Sequence, residues 1–353
     1  PESIMWLIRK LARIDNKLLR KELETKLKSE NLDYVHKLGI IQNSIYGVDI
    51  QPIAVEISKL RFFLSLIVDE KIDDKKPNRG IVPLPNLEFK FVAANSLIGL
   101  PHMTQFSQME IFEARDDIGK LKELRDAYFT SYGDEKKDIE GEFQKIQDKM
   151  YEYTLKEMAT HKKTLETQTL KLSEWKPFAD EAASWFDPEW MYGVKDGFDI
   201  SIGNPPYFNV STIDKDFLGY LLNRYRAIHT GYNDIVYYFI YLGIELLKNT
   251  GCCTLITSNY YLGNDYAKKL RAYLKNHIGK ILNFKGHMVF AEASVHTCIS
   301  LSHKEATSNE IIFFEAVNDE KITASDIEAQ LRPFAVKRTE LTDDWLMADQ
   351  SAS

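Results

Sequence analysis

At 353 residues and 44% hydrophobic content, the chain is long enough for one large or two ordinary domains with a sizeable core. A net charge of -7 argues against a protein that coats nucleic acid nonspecifically, but not against an enzyme whose basic surface sits on a separate segment. Cys252, Cys253 and Cys298 have no metal-ligand spacing, no apolar run reaches membrane-spanning length and no signal peptide opens the chain, so a soluble, cytoplasmic, metal-free protein is expected.

Pro1 is no natural start and suggests a piece of a longer polypeptide. Ile4, Leu7, Ile8, Leu11, Ile14 and Leu18 recur at helical spacing, and the pattern continues more weakly to about Leu38. Ser44 to Ile50 reads as a short strand ending in Asp49, with Gln51-Pro52 opening a helix over Ala54 to Val68. A carboxylate at the carboxyl end of a parallel strand can accept from both hydroxyls of a ribose, and the same residue before a proline also suits a helix cap.

A loop rich in Asp, Lys and Pro, Asp73 to Pro85, leads to an alternating strand over Leu87 to Val92, which ends at Asn95 and Ser96. Asn95 stands where a turn former or a polar ligand would stand. Residues 103 to 172 show three-four apolar spacing in two runs, Ile111 to Tyr128 and Ile139 to Tyr153, separated by Ser131 to Asp134. A helical hairpin with solvated charged faces is expected, as an inserted structural element or as an arm that clamps DNA. Trp175, Trp185, Phe186 and Trp190 then cluster, and core packing or docking of the hairpin accounts for most of them better than base stacking does.

The short apolar run Phe198-Asp199-Ile200 precedes Ser201-Ile202-Gly203-Asn204-Pro205-Pro206-Tyr207. Two prolines exclude a helix and a continuing central strand, so the backbone turns sharply. Asn204 and Pro205 are pushed to extended geometry and present their oxygens outward. The Asn204 side-chain oxygen, the Pro205 and Pro206 carbonyls and the Tyr207 ring together suit a planar aromatic amine, such as the exocyclic amino group of a nucleobase. A plain turn would use the same residue types.

Beyond it, Asp214 to Tyr225 reads as a helix, followed by a polar loop over Arg226 to Asn233. Asp234 opens an apolar helix that runs to Leu247-Lys248, with Gly251 as its stop and Cys252 to Thr257 as a buried strand. A helix over Asp265 to Asn276, a strand over Ile281 to Phe284, a hairpin over Val289 to Leu301, a strand over Glu310 to Glu315 and a helix over Thr323 to Leu331 complete the series. Alternation of strands and helices gives the expected class: α/β, with a mostly parallel, Rossmann-like sheet, helices on both faces and the hairpin inserted.

In this order of segments, Asn-Pro-Pro-Tyr after a strand resembles the adenine-specific DNA amino-methyltransferases, in particular the large ones of type II restriction-modification fusion enzymes. The likeness extends over about two thirds of the chain. Gly47-Val48-Asp49-Ile50-Gln51-Pro52-Ile53-Ala54-Val55 matches the family's ribose-binding element for S-adenosylmethionine position by position. The resemblance therefore implies Asp49 as ribose ligand and Ile50 as a wall against the cofactor's adenine, with Asn95 and Ser96 near the adenine amine and Asp234 lining the cofactor pocket. It implies Asn204, Pro205, Pro206 and Tyr207 as the slot for a target adenine flipped out of double-stranded DNA, and Phe290 as the slot's second face. Ordinary turn, helix-start and core roles stay open for Asn95, Asp234 and Phe290.

The family's glycine-rich cofactor loop is missing, since no two glycines here are spaced Gly-x-Gly. Family order places it just upstream, and a target-recognition domain downstream, so further domains of the same polypeptide are expected as partners. The implied division is 1–102 and 173–305 as methyltransferase core, 103–172 as hairpin and 306–353 as the start of the connection onward. The alternatives are a methyltransferase acting on RNA or protein glutamine, and a catalytically incomplete DNA-binding scaffold.

Overall fold

The computed structural model describes residues 32–68, 74–75, 79, 86–101, 108–129, 131, 133–161, 167–287, 289–290, 295–306, 308–316, 331–341 and 345. The chain forms two compact units, Pro1–Gly193 and Val194–Ser353. Among the described residues no helix is long and apolar enough to cross a membrane.

In the first unit, α1 (Leu32–Ser44) precedes β1 (Gly47–Asp49), α2 (Pro52–Ile67) and β2 (Phe91–Ala93). Pro52 suits the first turn of α2, where its missing N–H is no loss. β1 and β2 pair in parallel, with Asp49 opposite Ala93. Ile41, Val55, Leu66, Leu87 and Phe91 form the core beneath them. Gly47 is required here, because a Cβ would lie 2.7 Å from the Phe91 ring.

The inserted hairpin is present as α3 (Gln108–Tyr128) and α4 (Asp134–His161), followed by α5 (Gln168–Ser173) and α6 (Pro188–Tyr192). Phe89 is fully buried and meets the rings of Tyr128, Phe143, Trp175 and Phe178, with centroids 5.3 to 6.0 Å away. Trp175, Trp185, Phe186 and Trp190 are all buried. The Lys149 ammonium bonds the buried Asp117 carboxylate across the hairpin at 2.8 Å.

In the second unit the elements run β3 (Phe198–Gly203), α7 (Lys215–Arg224), α8 (Val236–Glu245), β4 (Leu247–Ser258), α9 (Lys268–Leu274), β5 (Ile278–Asn283), β6 (Thr297–His303), β7 (Glu310–Ala316) and β8 (Leu331–Lys337). They make one sheet in the order β3-β4-β6-β5-β7-β8. β3 with β4 and β5 with β7 are parallel; β6 runs antiparallel to both of its neighbours, as β8 does to β7. The α/β class holds, with β6 and β8 as the reversed members. α8 lies close over β4 at Gly243, where an added Cβ would stand 2.7 Å from Cys253 Sγ.

Several expected boundaries move. Glu88 to Lys90 form a turn instead of a strand, closed by N–H bonds from Lys90 and Phe91 to the Leu87 carbonyl at 2.9 Å, and buried Lys90 covers the Tyr46 ring. The apolar helix stops at Glu245, not at Lys248, because the Leu246 carbonyl accepts the Phe198 N–H at 2.9 Å and Leu247 already pairs with Phe198. Gly251 therefore lies inside β4 and is no helix stop; a Cβ there would come within 2.7 Å of the Phe198 carbonyl. The helix expected over Asp265 to Asn276 is a 3-10 turn, Asp265–Ala267, followed by the shorter α9. Leu331 opens β8 instead of closing a helix, and Pro333 is tolerated because β8 is an edge strand. The helix expected at residues 4 to 18, most of the loop from 73 to 85, residues 291 to 294 of the expected hairpin and residues 323 to 330 lie outside the described residues.

Candidate active site

β3 ends at Gly203, and the two prolines then prevent any continuation of its ladder with β4. Asn204 and Pro206 are exposed, Pro205 is buried and Tyr207 is half-buried. The Tyr207 hydroxyl oxygen lies 2.8 Å from the Asn204 carboxamide oxygen and 3.0 Å from the Ile256 carbonyl of β4. The sequence pattern presents Tyr207 as a ring; its hydroxyl as a tie between the loop and β4 is visible only in three dimensions.

The chain after Tyr207 is pinned to the start of α8. The Ile235 N–H bonds the Phe208 carbonyl at 2.9 Å, the Val210 N–H bonds the Asn233 carbonyl at 3.0 Å, and Asn209 bridges Asp234. Asp234 is thereby held beside the loop. Burial pushes its carboxyl up, while the Val236 N–H and the Ser258 hydroxyl pull it back. Tyr207 is pushed up to about 12, by burial first and then by Cys298 and Asp234, which keeps the phenol protonated at neutral pH.

In the first unit, Asp49, Ile50, Asn95 and Ser96 gather at the carboxyl ends of β1 and β2, where the Ala94 N–H bonds the Asp49 carbonyl at 2.8 Å. Asp49 and Ile50 are exposed, and Asn95 and Ser96 are half-buried. Asp49 Oδ1 accepts the Gln51 N–H at 2.8 Å; Gln51 is the residue that precedes α2, and no side chain caps it. Asn95 Oδ1 accepts the Leu97 N–H at 3.2 Å, which is the turn bond expected of an asparagine at a strand end. Phe290 lies half-buried in a bend ahead of β6.

The donor set of this first cluster suits an adenosine. A carboxylate with one oxygen given to a backbone N–H keeps the other for hydroxyls, and a carboxamide and an isoleucine stand beside it.

The sequence profile of the Eco57I restriction-modification methylase family matches residues 43–290. That is well over half of the chain, and the chain belongs to this family. Over 83% of its length it is 29% identical to RM.MjaORFECS2P of Methanocaldococcus jannaschii, which is named as a type II restriction enzyme and methyltransferase, and it spans 28% of that protein. It is 28% identical to the type II restriction enzyme and methyltransferase RM.Eco57I of Escherichia coli over 35% of this chain and 13% of that one. Among solved structures, the type IIG restriction endonuclease BpuSI aligns over 50% of this chain and 24% of its own, at 16% identity and a TM-score of 0.33. The chain is thus a minor part of the length of the curated relatives it matches.

Proposed function

We propose that the chain is the catalytic part of an S-adenosylmethionine-dependent DNA methyltransferase of a restriction-modification system, and that its target is the exocyclic amine of adenine. The observation that supports this is the exposed Asn204 carboxamide, 2.8 Å from the Tyr207 hydroxyl, directly after the end of β3, in a member of a restriction-modification methylase family.

An adenine amine is a poor nucleophile because its lone pair is delocalised into the ring. Asn204 Oδ1 and the Pro205 carbonyl accept its two hydrogens and thereby turn the lone pair out of the ring plane. The same two oxygens stabilise the positive charge that grows on nitrogen during transfer. The face of the Tyr207 ring supports the base, which reaches the loop only when rotated out of the duplex. The phenol does a second job. It has one proton and two oxygen neighbours, Asn204 at 2.8 Å and Ile256 at 3.0 Å. The hydroxyl donates toward the Asn204 oxygen, which has two lone pairs, so the phenol holds the carboxamide in place and one lone pair stays open to the amine.

Asp49 holds the ribose hydroxyls, Ile50 packs against the cofactor's adenine, and Asn95 and Ser96 receive its polar edge. Phe290 serves the target base. S-adenosylmethionine, when bound, supplies an activated methyl group on a sulfonium. The methylated nitrogen, now positively charged and acidic, gives its surplus proton to solvent water, so the step calls for no side chain as general base.

The full-length polypeptide, incubated with methyl-labelled S-adenosylmethionine and unmethylated duplex DNA, is expected to yield N6-methyldeoxyadenosine on nucleoside digestion. Label found in RNA or in protein glutamine, and none in DNA, would overturn the reading.

A further inference from the structure

Large aromatic side chains exposed to solvent are few among the described residues: Tyr151 on the hairpin, and Phe208, Tyr232, Tyr260 and Tyr266. The last four belong to one connected group of loops in the second unit. Phe208 and Tyr260 follow the carboxyl ends of the parallel strands β3 and β4, which point the same way. The Asn209 carboxamide donates to the Tyr232 carbonyl at 3.2 Å, and the Thr230 hydroxyl donates to the Tyr266 carbonyl. The Asn264 N–H bonds the Tyr260 carbonyl at 2.9 Å, and the Asn264 side chain accepts the Tyr266 N–H. Tyr232 is 65% and Tyr266 42% exposed, and their rings meet edge to face at 5.5 Å.

Two exposed tyrosines that meet only edge to face, one of them about two thirds open to water, gain little for the fold. Their backbones are nevertheless fixed by side-chain hydrogen bonds, so the rings are displayed with little freedom to lose on binding. The Tyr232 carbonyl is held by Asn209, two residues after Tyr207, and the Tyr266 carbonyl by Thr230, two residues before Tyr232, so both backbones are tied to the loop that follows Tyr207. We propose that Tyr232 and Tyr266 form a stacking platform for a nucleobase of the DNA strand next to the base held at Asn204–Tyr207. Stacking suits this place because every base has a π-face, so the contact holds the strand without reading its sequence. This inference rests on the DNA-methyltransferase reading above.

The test compares the full-length enzyme with its Tyr232→Ala/Tyr266→Ala and Tyr232→Phe/Tyr266→Phe double variants, with sheared unmethylated duplex DNA and labelled S-adenosylmethionine. The alanine pair is expected to raise KM for DNA about tenfold, by far more than it lowers kcat, and the phenylalanine pair to restore it, because a phenyl ring stacks as a phenol does. An alanine pair with wild-type KM, or a phenylalanine pair as impaired as the alanine pair, overturns the platform. If the wild-type enzyme methylates no DNA at all, the functional reading falls first, and the platform with it.

Discussion

The Tyr207 hydroxyl oxygen stands 2.8 Å from the Asn204 carboxamide, so the aromatic residue of the loop also fixes the orientation of its amide. The Tyr207→Phe enzyme keeps the ring and loses this tie along with the bond to Ile256. A neutral hydrogen bond contributes roughly 0.5–1.5 kcal/mol, so kcat is expected to fall up to about tenfold with KM for DNA nearly unchanged. Tyr207→Ala loses the ring as well and is expected to fall much further. Steady-state kinetics of the two variants separate the phenol's contribution from the ring's. Equal kcat in wild type and Tyr207→Phe would remove the hydroxyl from the account.

Asp49 divides its carboxylate between Gln51 and open solvent. Asp49→Asn retains an acceptor for the Gln51 N–H and loses the charge that ribose hydroxyls favour. S-adenosylmethionine affinity is therefore expected to drop about tenfold, consistent with charged hydrogen bonds of about 1.5–3 kcal/mol, at an unchanged melting temperature. Asp49→Ala is expected to weaken binding further. Titration calorimetry and a thermal melt on the same samples check both halves of this expectation.

The sheet's packing has a narrow point at Gly243. A valine there forces α8 and β4 apart against Cys253, at an expected cost of about 1–3 kcal/mol. Urea denaturation of Gly243→Val should show a lower midpoint, and a midpoint equal to wild type would mean that the helix has room to shift.

Burial, aided by Lys269, holds the His229 imidazole below its ordinary pKa, with Nδ1 2.5 Å from the Tyr238 hydroxyl oxygen. The unfolded chain then takes up a proton before the folded one does. The stabilising contribution is complete above the unfolded pKa of about 6.5 and is lost as pH falls from there through the lower folded value. His303, lowered by burial and by Arg338 and Lys280, acts in the same direction. The melting temperature is expected to decline as pH is lowered from about 7.5 to about 5.5, and His229→Gln should flatten that decline. An unaltered slope in the variant would assign the effect to other groups.

How far the sequence could be read depended on the range of the interactions involved. Asn204-Pro205-Pro206-Tyr207 is legible because proline acts on its own backbone, and the helix read from Asp214 to Tyr225 is found at Lys215–Arg224 because its signals are local. The hairpin is legible for the same reason: its periodicity is local. The start of β4 at Leu247 was hidden, since it depends on pairing with Phe198, far away in the chain. Lys90 looked like the outward residue of a strand, whereas the Tyr46 ring draws it into a buried turn. Tyr232 and Tyr266 lie 34 positions apart in polar loops, and nothing short of the folded backbone puts their rings in contact.

In the proposed reaction, the amide of Asn204 is the group on which methyl transfer depends most. Single-turnover kinetics of Asn204→Ala in the full-length polypeptide, with a parallel titration of S-adenosylmethionine, is the most direct measurement. Loss of an oriented transition-state contact is expected to slow transfer to DNA by about a hundredfold or more, with cofactor affinity within about twofold of wild type. Transfer at the wild-type rate would contradict the role of the loop and, with it, the proposed reaction.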